Sequence, residues 1–186
     1  MSRQGEDKVL QRTVWAGVLT VATVASTYVL DCATPFAALI ALAVLFLPRK
    51  DAMLLVGANV ALFWVVGYGL MHWPFSMSSI YAIAELGLAC GLSAGMAMLV
   101  HRGLRAHPVT MVVSVFLVAF LGYQISITAL SSLRASHETV GLQEYLYLLY
   151  LNGLAFAGLL SLQGIATAFG LVGQRPVASK AIAGIA

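Results

Sequence analysis

One acidic side chain, Glu85, lies within a stretch of sequence that is otherwise apolar and long enough to cross a membrane. An ionisable group at such a depth is costly unless it faces protein or water. Glu85 is therefore a candidate contact for a proton, a cation or a polar substrate. The alternative is a structural role, in which the carboxyl group hydrogen-bonds to Tyr81, Gln124 or Asn152, and the sequence leaves both hypotheses open.

Polar side chains recur along two later apolar stretches at the spacing of one helix face. In and just after residues 108–130, seven positions, five of them polar, lie alternately four and three residues apart: Thr110, Ser114, Leu117, Leu121, Gln124, Thr128 and Ser131. A comparable stripe follows in residues 142–172. Such stripes are expected to face inward, where they hydrogen-bond across helices or line a wet path. A seam between helices is the simpler interpretation. The path hypothesis assigns four residues to a route for a small solute or ion: Glu85, Gln124, Asn152 and Gln163.

Small residues repeat every four positions on the stretch that contains Glu85. Gly87, Gly91 and Gly95 follow this spacing, which places them along one helix face. Small residues let two helix backbones approach closely inside a bilayer. Gly153 and Ala157 repeat the spacing on the last apolar stretch. We interpret these five residues as helix-packing positions, and packing within the chain is favoured over an interface between chains.

The sequence contains no recognisable arrangement for catalysis or metal binding. It lacks Gly-x-Ser-x-Gly, a P-loop and a dinucleotide-binding glycine pattern. Cys32 and Cys90 form no paired motif, and His72 and His137 have no metal-ligand spacing. General acid–base chemistry lacks its usual pair of groups, since Glu85 is the single acid in the interior of an apolar stretch and Glu144 lies at the outer end of the last one. We therefore expect no enzyme, no metal site and no cofactor.

Six apolar stretches must position these residues. A helix needs about 20 residues to cross about 30 Å of hydrocarbon. The second stretch covers only about 20 Å by the same rise, so it either extends through residues 31–34 or forms a re-entrant half-helix. The predicted fold is all-α, an integral membrane bundle of six transmembrane helices with a short second one. The stretches are residues 13–30, 35–47, 52–71, 78–100, 108–130 and 142–172.

The basic residues give the orientation. With six crossings, nine of the ten Lys and Arg residues fall on one side, and only Arg134 falls on the other. Cytoplasmic loops are enriched in these residues, so both termini are expected in the cytoplasm. Removing the second crossing would move Arg49 and Lys50 outside. The predicted division is a cytoplasmic segment 1–12, a transmembrane domain 13–172 and a cytoplasmic tail 173–186.

Composition excludes the other broad classes. Hydrophobic residues make up 61% of the chain and charged residues 9%, against about 45–50% and about 25% in soluble domains. Mean hydropathy is +0.93. A soluble domain, a disordered chain and a nucleic-acid partner are thereby excluded. The predicted surroundings are the lipid bilayer of a cell membrane, and the usage of Ala, Leu and Gly together with the charge bias suggests the bacterial inner membrane.

Three functions fit these features. The first is a non-catalytic helix-bundle subunit of a homo-oligomer or of a larger membrane assembly, and it is the one we expect. The second is a small solute or ion channel or transporter, with a small-molecule substrate and the polar path through the last three helices. The third is a holin-type membrane permeabiliser, whose expression alone would collapse the membrane potential.

Overall fold

The structure is a computed structural model that describes residues 13–23, 25, 35–104, 107–133 and 141–168. These ranges are helical apart from short connections, and no strand occurs among them. Several predicted features lie outside the described residues: segment 1–12, residues 31–34, Arg134, His137 and the tail 173–186. The six helices are α1 (Thr13–Thr23), α2 (Phe36–Phe46), α3 (Arg49–Gly69), α4 (Met77–Gly103), α5 (Pro108–Leu133) and α6 (Leu142–Ala168).

Four of these helices, α3 to α6, are long and apolar enough to cross a membrane. The shortest of the four, α3, has 21 residues and so extends about 31 Å, which matches the hydrocarbon thickness. Large apolar side chains cover their outer surfaces, among them Leu54, Val65, Leu99 and Ile125. The all-helical, multi-pass membrane character predicted from the sequence is therefore supported for these four helices. The described parts of α1 and α2 are shorter.

Proline and serine set the helix boundaries. Pro35 and Pro48 precede α2 and α3, and Pro108 is the first residue of α5. Proline suits these positions because the first turn of a helix does not need its missing N–H. Helix α4 begins after Ser76, whose Oγ accepts a hydrogen bond from the Ser79 N–H at 3.2 Å. Each boundary thus follows from local chemistry.

The short helix α2 lies at the centre of the bundle. Ten of its 11 residues are buried, and it contacts α3, α4, α5 and α6. Its sequence is apolar on every side, from Phe36 to Phe46, so it has no polar face to present to water. A helix that is hydrophobic all round is stable when it is enclosed by other helices. The longer helices therefore pack around α2.

Helix α2 occupies only part of the bundle height. The Phe36 ring centroid lies 5.6 Å from that of Phe63, which is about 21 Å along α3 from Arg49. At the other end, Leu47 lines a cavity with Ala52 and Met98. The 11 residues of α2 extend about 16 Å, roughly half the hydrocarbon thickness. The helix thus fills the half of the bundle nearer to Arg49.

Aromatic rings continue the core from the start of α2 to the turn between α3 and α4. The chain reverses at His72, whose φ is 53°, and the Trp73 N–H donates to the Gly67 carbonyl at 3.1 Å. Trp73 then lies so close to Gly67 that a Cβ there would overlap the indole. We call this set of rings the aromatic cluster: Phe36, Phe63, Tyr68, Trp73, Phe75 and Tyr123.

Candidate functional site

The glycine row of α4 lies on the edge of the buried face and has few neighbours. Gly87, Gly91 and Gly95 are half-buried. A Cβ on Gly87 would meet the Val60 Cγ1 at 3.8 Å, an ordinary van der Waals distance. No atom of the described residues lies within 4 Å of a Cβ built on Gly91 or Gly95. The described part of the chain therefore leaves space beside two of the three glycines.

Helices α4 and α5 approach each other through a different set of small residues. A Cβ on Gly122 would lie 3.4 Å from the Ser93 Cα. The fully buried Ser93 hydroxyl donates to the Ala119 carbonyl at 2.6 Å. Sequence reasoning missed this contact. Its signal was a second row of small residues four apart on α4, namely Ala89, Ser93 and Ala97, all fully buried.

The small residues of α6 are also open. Gly153 is half-buried with no atom of the described residues within 4 Å of a Cβ built on it, and Ala157 is exposed. The buried face of α6 instead contains Asn152, Phe156 and Gln163. The predicted packing positions on this helix therefore face away from the rest of the described chain.

The amides of the predicted path are buried, but those of α6 hydrogen-bond within their own helix. The Asn152 Nδ2 donates to the Leu148 carbonyl at 3.0 Å, and the Gln163 Nε2 donates to the Thr167 Oγ1 at 3.4 Å. Their side-chain oxygens have no hydrogen-bond partner among the described residues. These buried acceptors could receive a donor that the described part of the chain does not supply.

The polar stripes of α5 and α6 do not meet along their length. The buried face of α6 packs chiefly on α2, and contact with α5 includes the Phe116 and Phe156 rings, stacked at 4.6 Å. Phe156 lies between Asn152 and Gln163 on the same face of α6. The ring pair therefore separates the two amides. The stripe on α5 lies partly on the outside of the bundle, because Leu121, one of its members, is exposed.

A groove of about 540 Å³ opens between α5 and α6, and it contains one residue of the predicted path. Gln124 lines it together with Thr128 and Tyr145, whose hydroxyl groups hydrogen-bond at 2.9 Å. The exposed side chains of Ile125 and Leu146 also line it, so the groove opens on the flank of the bundle. Glu85 is half-buried on α4 and does not line this groove.

A buried amide side chain also joins α1 and α3. Asn59 is 2% exposed, and its Nδ2 donates to the Thr20 Oγ1 at 3.2 Å and to the Leu55 carbonyl at 2.9 Å. The first of these bonds links α3 to α1. Asn59 is thus an interhelical contact, as expected for an amide inside a membrane bundle.

Metal-binding side chains do not converge within the described ranges. No three of the His, Cys, Asp and Glu residues that the structure describes lie close enough to hold an ion. The fold defines the class of protein: a multi-pass helical membrane protein built around a short central helix. No family model, no curated protein and no solved structure matches this chain.

Proposed function

We propose that this chain is a non-catalytic subunit of a homo-oligomer or of a larger membrane assembly. The observation that supports the proposal is the open glycine row of α4. Gly91 and Gly95 make no close contact within the described part of the chain, although their spacing suits a second helix. In lipid, helices associate mainly through close packing at such small residues.

The surroundings of the glycine row suit a helix of another chain. Leu88, Leu92 and Leu99, on the exposed face of α4 beside the row, are more than half exposed. These side chains would flank a partner helix, while the glycines would let its backbone approach. Gly153 on α6 offers a second open position of the same kind. The subunit would thus associate within the bilayer.

The connections between the described helices leave little protein outside the membrane. Only Leu47 and Pro48 separate α2 from α3, and seven residues, 70–76, separate α3 from α4. A soluble partner would find small surfaces at these turns. The partners of this proposal are therefore lipid and other membrane helices, of this chain or of another protein.

The proposal includes six crossings with both termini in the cytoplasm of a bacterial cell. Support comes from the charge distribution and from helix direction, since α1 and α3 run parallel: Thr13 and Asp51 line the same groove, and farther along the two helices Asn59 donates to the Thr20 hydroxyl. Helix α2 runs in the opposite direction, because it begins near Phe63 and ends near Ala52. Alternating directions are what successive crossings require.

The mass of the purified protein tests the proposal. We expect the full chain, extracted in mild detergent and measured by light scattering, to have a protein mass at least twice the 19.7 kDa monomer. Co-purification at natural expression levels would then distinguish a homo-oligomer from a mixed assembly. A single monomeric species at both high and low detergent concentration, together with no partner co-purified at natural expression levels, would contradict the proposal.

A small transporter or channel is the alternative, and the groove lined by Gln124 favours it. Flux in proteoliposomes tests it, with Glu85→Gln compared against the unmodified chain. We expect no solute flux above that of empty vesicles from either protein, because the stacked rings of Phe116 and Phe156 lie between the buried amides of α6. A flux that falls about tenfold or more in Glu85→Gln would establish the alternative in place of the subunit proposal.

A further inference from the structure

A basic cavity lies at one end of the bundle, where α2 ends, α3 begins and α4 ends. Its volume is about 170 Å³, equivalent to about six water molecules in the liquid. One side is apolar and the other is basic. The apolar side consists of Val44, Leu47, Ala52 and Met98, and the basic side consists of Arg49, His101 and Arg102.

The two arginines of this cavity have no acidic side chain beside them in its lining. Neither Arg49 nor Arg102 forms an ion pair with any residue that the structure describes. Each guanidinium presents five N–H donors in a planar fork that matches the oxygens of a phosphate group. The basic side thus offers donors for an anion.

Helix stability does not account for Arg49. Arg102 lies in the last turn of α4, where the helix dipole favours a cation. Arg49 is the first residue of α3, where the dipole disfavours one. Membrane orientation requires a basic residue on this side, but Lys50 meets that requirement without lining the cavity. Binding of an anion would explain why an arginine occupies this position.

The cavity lies at the level of lipid headgroups. His101 is about 36 Å along α4 from Met77, which exceeds the hydrocarbon thickness of about 30 Å. The apolar side chains Val44 and Met98, which are buried in the bundle, line the cavity on its inner side. A ligand here could contact headgroup and hydrocarbon regions together.

We propose that this cavity binds the phosphate group of an anionic phospholipid. The arginines would bind the phosphate oxygens, and the apolar side would contact the glycerol and the first methylenes of the acyl chains. Free inorganic phosphate has the same oxygens but gains nothing from the apolar side. Basic pockets between membrane helices commonly bind anionic headgroups. This inference does not depend on whether the chain forms an oligomer.

Lipid titration of the full-length protein, followed by native mass spectrometry, tests the proposal. Phosphatidylglycerol should bind at least about tenfold more tightly than phosphatidylcholine, and inorganic phosphate should not displace it. The double variant Arg49→Gln with Arg102→Gln should lose about tenfold in phosphatidylglycerol affinity. Lys50→Gln is the matched control, since it removes one neighbouring charge outside the cavity, and it should change the affinity less than about twofold.

A charge-preserving variant separates phosphate recognition from general attraction. Arg49→Lys with Arg102→Lys should retain the preference for phosphatidylglycerol but bind it more weakly, because an ammonium group cannot form two parallel hydrogen bonds. Circular dichroism should show equal helicity in all variants. Equal affinity for the two lipids would overturn the proposal. It would also be overturned by a glutamine double variant that binds as tightly as Lys50→Gln, or by displacement of the lipid with inorganic phosphate.

Discussion

A chain in which Gly91 and Gly95 are both replaced by isoleucine is expected to purify as a monomer, where the unmodified chain purifies as an oligomer. The side chains would project into the space that the described chain leaves open, so folding should be little affected. In the assembly that space holds a partner helix, and bulk inserted at a packed position costs about 1–3 kcal/mol. Two such positions weaken association about 30-fold or more.

Gly57→Ile is the matched control for this variant. Gly57 is an exposed helical glycine on α3, and no atom of the described residues lies within 4 Å of a Cβ built on it. It lies outside the glycine row, so the same substitution should leave the mass unchanged. Analytical ultracentrifugation in detergent measures all three proteins. An oligomer that persists in the double variant would show that the row of α4 is not the interface.

The second large effect concerns the start of the central helix. Phe36→Ala should lower the free energy of unfolding by about 2–3 kcal/mol, because it leaves a cavity among the aromatic rings that pack around the first residue of α2. Phe36 is 2% exposed and contacts both Phe63 and Tyr123. The expected loss is smaller than the roughly 3–5 kcal/mol of a water-soluble core, since lipid already solvates the side chain in the unfolded state.

Phe75→Ala offers a matched comparison within the same aromatic cluster. Phe75 is 83% exposed and stacks on Tyr68 at 4.3 Å. Its removal deletes one ring pair without leaving a cavity, so the loss should stay below about 1.5 kcal/mol. Unfolding by SDS titration in mixed micelles, followed by circular dichroism, measures both variants. Equal losses would mean that α2 is not the packing centre of the bundle.

The sequence predicts the long helices well because their length and composition leave few alternatives. The predicted stretch 108–130 corresponds to α5, Pro108–Leu133, and Pro108 is the first residue of both the stretch and the helix. The central position of α2 was not predicted, although its uniformly apolar sequence contains the signal. A short apolar stretch can be a half-helix at the membrane edge or a core element, and length alone does not separate them.

The polar stripes show how far the spacing of residues predicts the packing of helices. On α6 the predicted face is the buried one, with Asn152, Phe156 and Gln163 inward. Its neighbour is mainly α2, because periodicity identifies a helix face but not the helix that covers it. The α4–α5 contact at Ser93 and Gly122 was missed for the same reason. Several rows of small residues compete on α4, and only the three-dimensional arrangement selects one.

Membrane topology tests the central claim most directly, namely that the chain passes through the bilayer six times with the basic end in the cytoplasm. Single cysteines at Lys50 and Arg102 mark that end, and single cysteines at Ser76 and Leu142 mark the other, in a chain whose Cys32 and Cys90 are replaced by alanine. A membrane-impermeant thiol reagent applied to intact cells should label Ser76→Cys and Leu142→Cys alone. Lys50→Cys and Arg102→Cys should react only after the membrane is opened, and reporters fused at Met1 and Ala186 should both lie inside. Labelling of the basic end in intact cells, or termini on opposite sides, would contradict the account.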